Sequence, residues 1–136
     1  MADPIIGPIL ALAAAIGRLL GPIKRFVDRF FEASKVMRKI KRELDSLSTI
    51  LATIHHFLGT LSPHPMQIAL AMQLPESIRD CRKTIRKLNN TLDEIYRKNF
   101  ASIYWAASGR DRVVSLQDDL AHQKMTFIIS MLGFAM

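Results

Sequence analysis

The chain has 136 residues, of which 49% are hydrophobic and 23% charged, and its formal net charge at pH 7 is +7. This size and balance favour one folded domain with its own core, and they exclude a disordered or collagen-like chain. A single cysteine, Cys81, excludes an internal disulfide and indicates a reducing compartment, so we expect the protein to be cytoplasmic at rest.

The excess positive charge is confined to one part of the sequence. Residues 18–42 contain nine of the 19 basic residues but two of the 12 acidic ones, Asp28 and Glu32, which leaves ten of each elsewhere. A basic segment that follows an apolar one is typical of membrane association, because apolar burial and headgroup attraction act together.

The first predicted element is an apolar helix over about residues 5–20. No charge lies between Pro4 and Gly17, and prolines suit the first turn of a helix, where their missing N–H is not needed. Gly21-Pro22 then predicts a break or a sharp kink. We expect a single domain over residues 1–136, with residues 1–21 as the apolar N-terminal helix and residues 22–136 as the bundle.

The apolar helix has two open interpretations. A secretory signal needs basic residues before the apolar run, and only Asp3 precedes it here. A permanent span needs about 20 apolar residues, a length reached only by including Arg18. The alternatives left are a buried core helix and a helix that inserts into a membrane conditionally. For insertion we predict Ile5, Ile6, Ile9, Leu10, Leu12, Ile16, Leu19 and Leu20, with Gly7 and Gly17 permitting close helix packing.

The second predicted element is one long amphipathic helix over about residues 23–58, with bending near Ser34, that ends at Gly59. Residues 60–65 follow as a loop rich in proline. Cations at steps of three and four begin at Lys35 and place a basic stripe on one face of this helix. The predicted contacts with anionic lipid are Lys24, Arg25, Arg29, Lys35, Arg38, Lys39 and Arg42.

Two further helices complete the predicted fold. Residues 66–74 form a short helix or an extended lead-in, Pro75 begins the third helix, and a looser joint precedes a last helix over 111–132. No β pattern is present, so the fold class is all-α, a helical bundle of four to five helices. The predicted core positions are Leu44, Leu47, Leu51, Ile54, Leu58, Ile78, Cys81, Ile85, Leu88, Leu92, Ile95, Trp105, Leu116 and Leu120.

The third helix carries a second basic stripe, formed by Arg79, Arg82, Lys83 and Arg86. A solvated outer face and a phosphate-binding face both remain open for it.

No residue pattern indicates catalysis. The neighbours His55 and His56 point in different directions on a helix, and no histidine follows either at the i+4 spacing of a helical metal site. Cys81 falls within an apolar seam, which favours a small core residue over a nucleophile. We expect no enzymatic activity, no cofactor and no metal site.

Four stretches of the sequence together resemble the fungal HeLo-like domain, the N-terminal effector domain of fungal STAND (NOD-like receptor) proteins. They are MADPIIGPILALAAAIG, ELDSLSTILATI, LPESIRDCRKTIRKLN and IYWAASGRDRVVSLQDDLAHQKMTFIISML. The most specific portions are the MADP start, Leu74-Pro75 with Cys81, the pair Trp105-Ala106, and the run Leu120, His122, Lys124 and Thr126. The similarity extends over essentially the whole chain.

This resemblance implies a cell-death effector of fungal innate immunity and allorecognition, similar to the necroptosis executioner bundle and to the coiled-coil domains of plant resistance proteins. It implies activation by an attached receptor or an amyloid-forming segment, then oligomerisation, then permeabilisation of the plasma membrane through the N-terminal helix. The sequence contains no nucleotide-binding module and no visible amyloid motif, which leaves the activating signal open. The expected partners are anionic lipids, further copies of the chain and an upstream activator.

Two other functions stay open. The alternative is a non-toxic homotypic or heterotypic adaptor that binds partner helices and never enters lipid. Nucleic-acid binding is disfavoured, because no recognition motif or aromatic interleaving accompanies the basic stripes.

Overall fold

In the part of the chain that the computed structural model describes, all regular structure is helical, which confirms the predicted all-α bundle. The described residues are 3–30, 33–59, 65–98 and 100–135. The helices are α1 (Asp3–Arg29), α2 (Ser34–Gly59), α3 (Pro65–Tyr96), α4 (Ala101–Tyr104) and α5 (Arg110–Ala135). One π-helical turn, Trp105–Gly109, joins α4 to α5.

Four long helices form the bundle, with α1 and α5 each packed against both α2 and α3. Helix α1 runs parallel to α3, since Pro8 lies beside Pro75 at one end and Phe30 beside Tyr96 at the other. Helix α5 runs back along α3 in the opposite direction. Each long helix buries one apolar face against its neighbours.

All fourteen predicted core positions are buried in this bundle. On α2, the seam from Leu44 to Leu58 faces inward along its whole length, as its steps of three and four predicted. Glu43 of α2 and Lys124 of α5 are half-buried and form an ion pair that links the two helices. Their Oε2 and Nζ atoms are 2.9 Å apart, but the angles of the contact do not meet those of a hydrogen bond.

Of the predicted break or sharp kink at Gly21-Pro22, the break is wrong, because α1 continues through it to Arg29. An internal proline costs about 3 kcal/mol. The side chains beyond it, Ile23, Phe26 and Phe30, are buried, and each contributes roughly 1.5–3 kcal/mol. Burial therefore outweighs the proline, and the apolar N-terminal helix is longer than residues 1–21.

The predicted single helix over residues 23–58 is also wrong. Residues up to Arg29 belong to α1, and α2 starts at Ser34. Ala33 donates its backbone N–H to the carbonyl of Phe30 at 3.0 Å, where the chain reverses. A continuous helix through both segments would be roughly 80 Å long. Reversal instead lets the apolar faces of α1 and α2 bury each other.

The third helix begins earlier than predicted. Residues 66–74 are part of α3, which starts at Pro65 and passes through Pro75. Pro75 is exposed, while Leu74 and Ile78 on either side of it are buried, so the same balance between proline and burial applies. Most of the predicted loop, residues 60–64, lies outside the described residues.

The predicted joint before the last helix is helical, and its π turn brings Gly109 against α3. A Cβ atom added at Gly109 would lie 2.9 Å from Cδ1 of the fully buried Ile95. By contrast, Gly17 of α1 has no neighbouring atom within 4 Å of such a Cβ. The two glycines therefore differ, since a methyl group at Gly109 must displace the end of the buried Ile95 side chain, whereas one at Gly17 meets no such neighbour.

We predict opposite stability changes for alanine at these two positions. Gly17→Ala should raise the free energy of unfolding by about 0.5–1 kcal/mol, because alanine favours an exposed helix interior. Gly109→Ala should lower it by about 1 kcal/mol, because overpacking against Ile95 outweighs the gain in helix propensity. Urea unfolding followed by circular dichroism measures both, and a Gly109→Ala variant as stable as Gly17→Ala would contradict the assigned packing.

Candidate functional site

Helix α1 is divided lengthwise into a face of large buried side chains and a face of small exposed residues. The buried face follows steps of three and four without interruption. Its members are Ile9, Leu12, Ile16, Leu19, Ile23 and Phe26, each at most 3% exposed.

The opposite face of α1 meets solvent and carries little charge. It is formed by Gly7, Leu10, Ala14, Gly17 and Gly21, with Arg18 beside it. Leu10 is 55% exposed. Over residues 7–21 the solvent side of α1 therefore carries a single charge, Arg18, and is otherwise apolar like the core side, which a bundle alone does not require.

Within the described residues, the segment Ile6–Arg29 is long and apolar enough to cross a membrane by length and composition. Core helices of soluble proteins and N-terminal signal sequences pass the same test. In this helix 28% of the residues in the apolar window are buried, because one side of the helix faces solvent.

The structure divides the residues predicted for insertion among three environments. Ile9, Leu12, Ile16 and Leu19 are buried, Ile6 and Leu20 are half-buried against the core, and Leu10, Gly7 and Gly17 are exposed. The side chain of Ile5 lies outside the described part of the structure.

The predicted packing role of Gly7 and Gly17 belongs to the inserted helix and stays a prediction, since the bundle gives these glycines no close neighbour among the described residues. No atom of a neighbouring element lies within 4 Å of a Cβ built on Gly7, Gly17 or Gly21. The reason is their position on the solvent face, which no other helix covers.

An aromatic cluster holds the C-terminal end of α1. The Phe26 ring lies 4.8 Å from Phe30 and 5.5 Å from Trp105 of the π turn, between ring centroids. Phe30 meets Tyr96 of α3 edge-on at 6.2 Å. Such pairs contribute about 0.5–1.5 kcal/mol beyond the burial of their area, so this end of α1 is the better anchored one.

All seven residues predicted to contact lipid are exposed, and they lie on two helices, α1 and α2. Arg29 lies over the Tyr96 ring with its Cζ 4.6 Å from the centroid, and Arg25 approaches the same ring at 5.9 Å. These two arginines therefore point toward α3. The other five are Lys24 at the end of α1 and Lys35, Arg38, Lys39 and Arg42 on the outer face of α2.

The second basic stripe, on α3, faces α1. A cleft of about 550 Å³ separates the two helices, with Arg18 and Arg25 on one wall and Arg82 and Arg86 on the other. Asp93 is the acidic residue in its lining. A smaller cleft of about 280 Å³ lies toward Pro8 and is lined by the remaining members of the stripe.

We did not predict from the sequence that cations of α1 and α3 share a cleft. Two signals were present, since Arg18 and Arg25 are seven residues apart and Arg82 and Arg86 four apart, each pair on one helical face. The parallel packing of α1 on α3 was the missing information.

Cys81 is buried, and desolvation raises the pKa of its thiol from 9.0 to about 12. The thiol therefore stays protonated at neutral pH, which makes it a poor nucleophile. Among the described residues, no three His, Cys, Asp or Glu side chains are grouped so that they could hold a metal ion.

Comparison of the chain with protein-family models, with curated proteins and with solved structures gives no match in any of the three. What the site can do follows from its own geometry and charge.

Proposed function

We propose that the protein is a membrane-targeting effector domain whose helix α1 leaves the bundle and enters an anionic bilayer. The observation that carries the proposal is the pair of apolar faces on α1, one buried and one exposed, next to the basic ends of α1 and α2. The proposal agrees with the function that the sequence resemblance to HeLo-like cell-death domains implies. It acts without enzymatic chemistry, and its working location is the plasma membrane.

Burial energies explain why such a helix stays docked in water. The six large side chains of its buried face contribute roughly 10–20 kcal/mol together, which release into water would forfeit. A bilayer is as apolar as the core, so it offers those side chains an equivalent environment and also accepts the small face. Small free-energy contributions, such as those of membrane surface charge and self-assembly, therefore decide whether α1 stays in the core or enters the bilayer.

The basic residues outside the cleft support the first step, which is attraction to the membrane. Lys24 and the α2 stripe are exposed and lie near the turn that joins α1 to α2. Each cation near an anionic surface contributes about 1 kcal/mol. Their placement brings the C-terminal end of α1 to the lipid first.

Departure of α1 supports the second step, which is self-association. The helix covers apolar faces of both α2 and α3, and its removal would leave those faces in water. Large exposed apolar patches favour binding to a partner. A second copy of the chain from which α1 has also departed exposes the same apolar faces. Oligomerisation is thus coupled to insertion in this proposal.

A matched pair of substitutions tests insertion without disturbing the bundle. Ala14 on α1 and Ala52 on α2 are both exposed and lie well inside their helices. Ala14→Glu should abolish dye release from phosphatidylserine vesicles, because a carboxylate near the centre of a spanning helix costs about 2.5–3.5 kcal/mol. Ala52→Glu changes the net charge equally and should keep the release.

Circular dichroism should show that both variants remain folded. Equal dye release by the two variants, or none from the unmodified protein, would overturn the proposal.

The adaptor function remains the alternative, and one observation favours it. Helix α5 exposes Met125, Ile129 and Leu132 at steps of four and three, with exposed fractions of 52–63%. An apolar line of this kind suits a partner helix. The adaptor function predicts assembly without lipid, which Ile129→Glu removes and Ala14→Glu leaves intact in light scattering. A chain that is monomeric without lipid would contradict it.

A further inference from the structure

We propose that the cleft between α1 and α3 binds a polyphosphorylated anion, and that the bound anion holds α1 against the bundle. The charge and shape of the cleft alone support the binding. The holding effect rests on the proposed release of α1.

The arginines of the cleft walls form no ion pair among the described residues. Asp93 is the acidic residue of the lining, and its Oδ1 is 3.3 Å from Nε of Arg97 on the same helix. The cleft therefore keeps a net positive charge that only a solute or the solvent can neutralise.

The shape of the cleft suits a compact ligand rather than a flat surface. Its volume of about 550 Å³ is within the usual range for small-molecule sites, about 300–1,000 Å³. Its floor is apolar and is formed by the buried side chains of Leu19, Phe26 and Ile85. Asn89 adds a neutral polar group between the walls.

Arginine on both walls indicates the chemistry of the ligand. Guanidinium groups bind phosphate through two parallel hydrogen bonds, and they are more weakly hydrated than the ammonium group of lysine. Arg18 and Arg25 lie on one wall and Arg82 and Arg86 on the other, so the cleft offers four guanidinium groups, more than one phosphate can engage in paired hydrogen bonds. A ligand with several phosphates, either a free inositol polyphosphate or the headgroup of a phosphoinositide, satisfies both walls at once.

Such a ligand couples the two helices. Without it, cations on α1 and α3 repel each other and weaken the docking of α1. With it, each wall binds the same anion, so the docked state gains affinity that the released state lacks. A ligand that binds one of two states shifts the equilibrium toward that state.

The test uses two double variants with the same change in net charge. Arg82→Gln with Arg86→Gln removes the cations of one wall of the cleft, whereas Lys41→Gln with Arg110→Gln removes two exposed cations that line neither the cleft nor the predicted lipid contacts. Inositol hexakisphosphate should raise the melting temperature of the unmodified protein and of this control variant by about 5 °C at roughly ten times its dissociation constant. The cleft variant should bind inositol hexakisphosphate at least about tenfold more weakly than the unmodified protein does. Equal shifts for both variants, or no shift in the unmodified protein, would overturn the site.

Vesicles then distinguish the two sources of the ligand. Phosphatidylinositol bisphosphate and phosphatidylserine vesicles are compared at equal surface charge. A preference for the former that only the cleft variant loses identifies a lipid headgroup. Equal binding, together with a cleft-dependent shift by the soluble anion, identifies a free polyphosphate.

Dye release tests the holding effect separately from binding. Inositol hexakisphosphate should reduce release from phosphatidylserine vesicles by the unmodified protein and should not reduce it for the cleft variant. If the anion binds the cleft but dye release is unchanged or becomes faster, the holding effect is overturned. Absence of any release would instead contradict the proposed function, while the melting shift would still decide the site.

Discussion

The contact on which the rest of the bundle depends is the burial of one face of α1 between α2 and α3. Six large apolar side chains of α1 are on that face, and the solvent face over residues 7–21 consists mainly of glycine and alanine with Leu10 and Arg18. Because α1 contributes Phe26 to the cluster around Trp105, its position also fixes the π turn that begins the last helical segment. The bundle is thus built around a helix that is itself compatible with lipid.

The seams were predictable from the sequence because burial repeats every three or four residues. That period alone located the core of α2, α3 and α5. It failed between α1 and α2, because the same steps continue from Phe26 through Phe30 to Met37, and the bend expected near Ser34 was too weak a signal to predict two helices. Only the gain from packing α1 against α2 decides that the chain reverses there.

The opposite error arose at Pro22, where a strong local signal was overridden by packing. The steps Leu19, Ile23 and Phe26 cross the proline without a change of phase, and that continuity was the better guide. The cationic cleft could not be found in this way. It depends on which helices are neighbours, and a pattern within one helix does not contain that information.

Charge and apolar burial act in opposite directions on α1. Its buried face favours the core, while the arginines that it shares with α3 repel across the cleft. Apolar burial stabilises the docked helix strongly, and the weaker electrostatic repulsion destabilises it. Because that repulsion is screened by ions, the docking of α1 depends on salt, on bound anions and on charged surfaces. This balance is what makes a conditional movement physically reasonable.

The most direct test is the distance between spin labels on Ala14 of α1 and Ala52 of α2, both exposed. The native thiol of Cys81 is buried and protonated, so it does not compete for the label. In solution we expect one narrow distance distribution. On phosphatidylserine vesicles we expect a second, longer population as α1 leaves the bundle. An unchanged distribution on vesicles that release their dye would contradict the account.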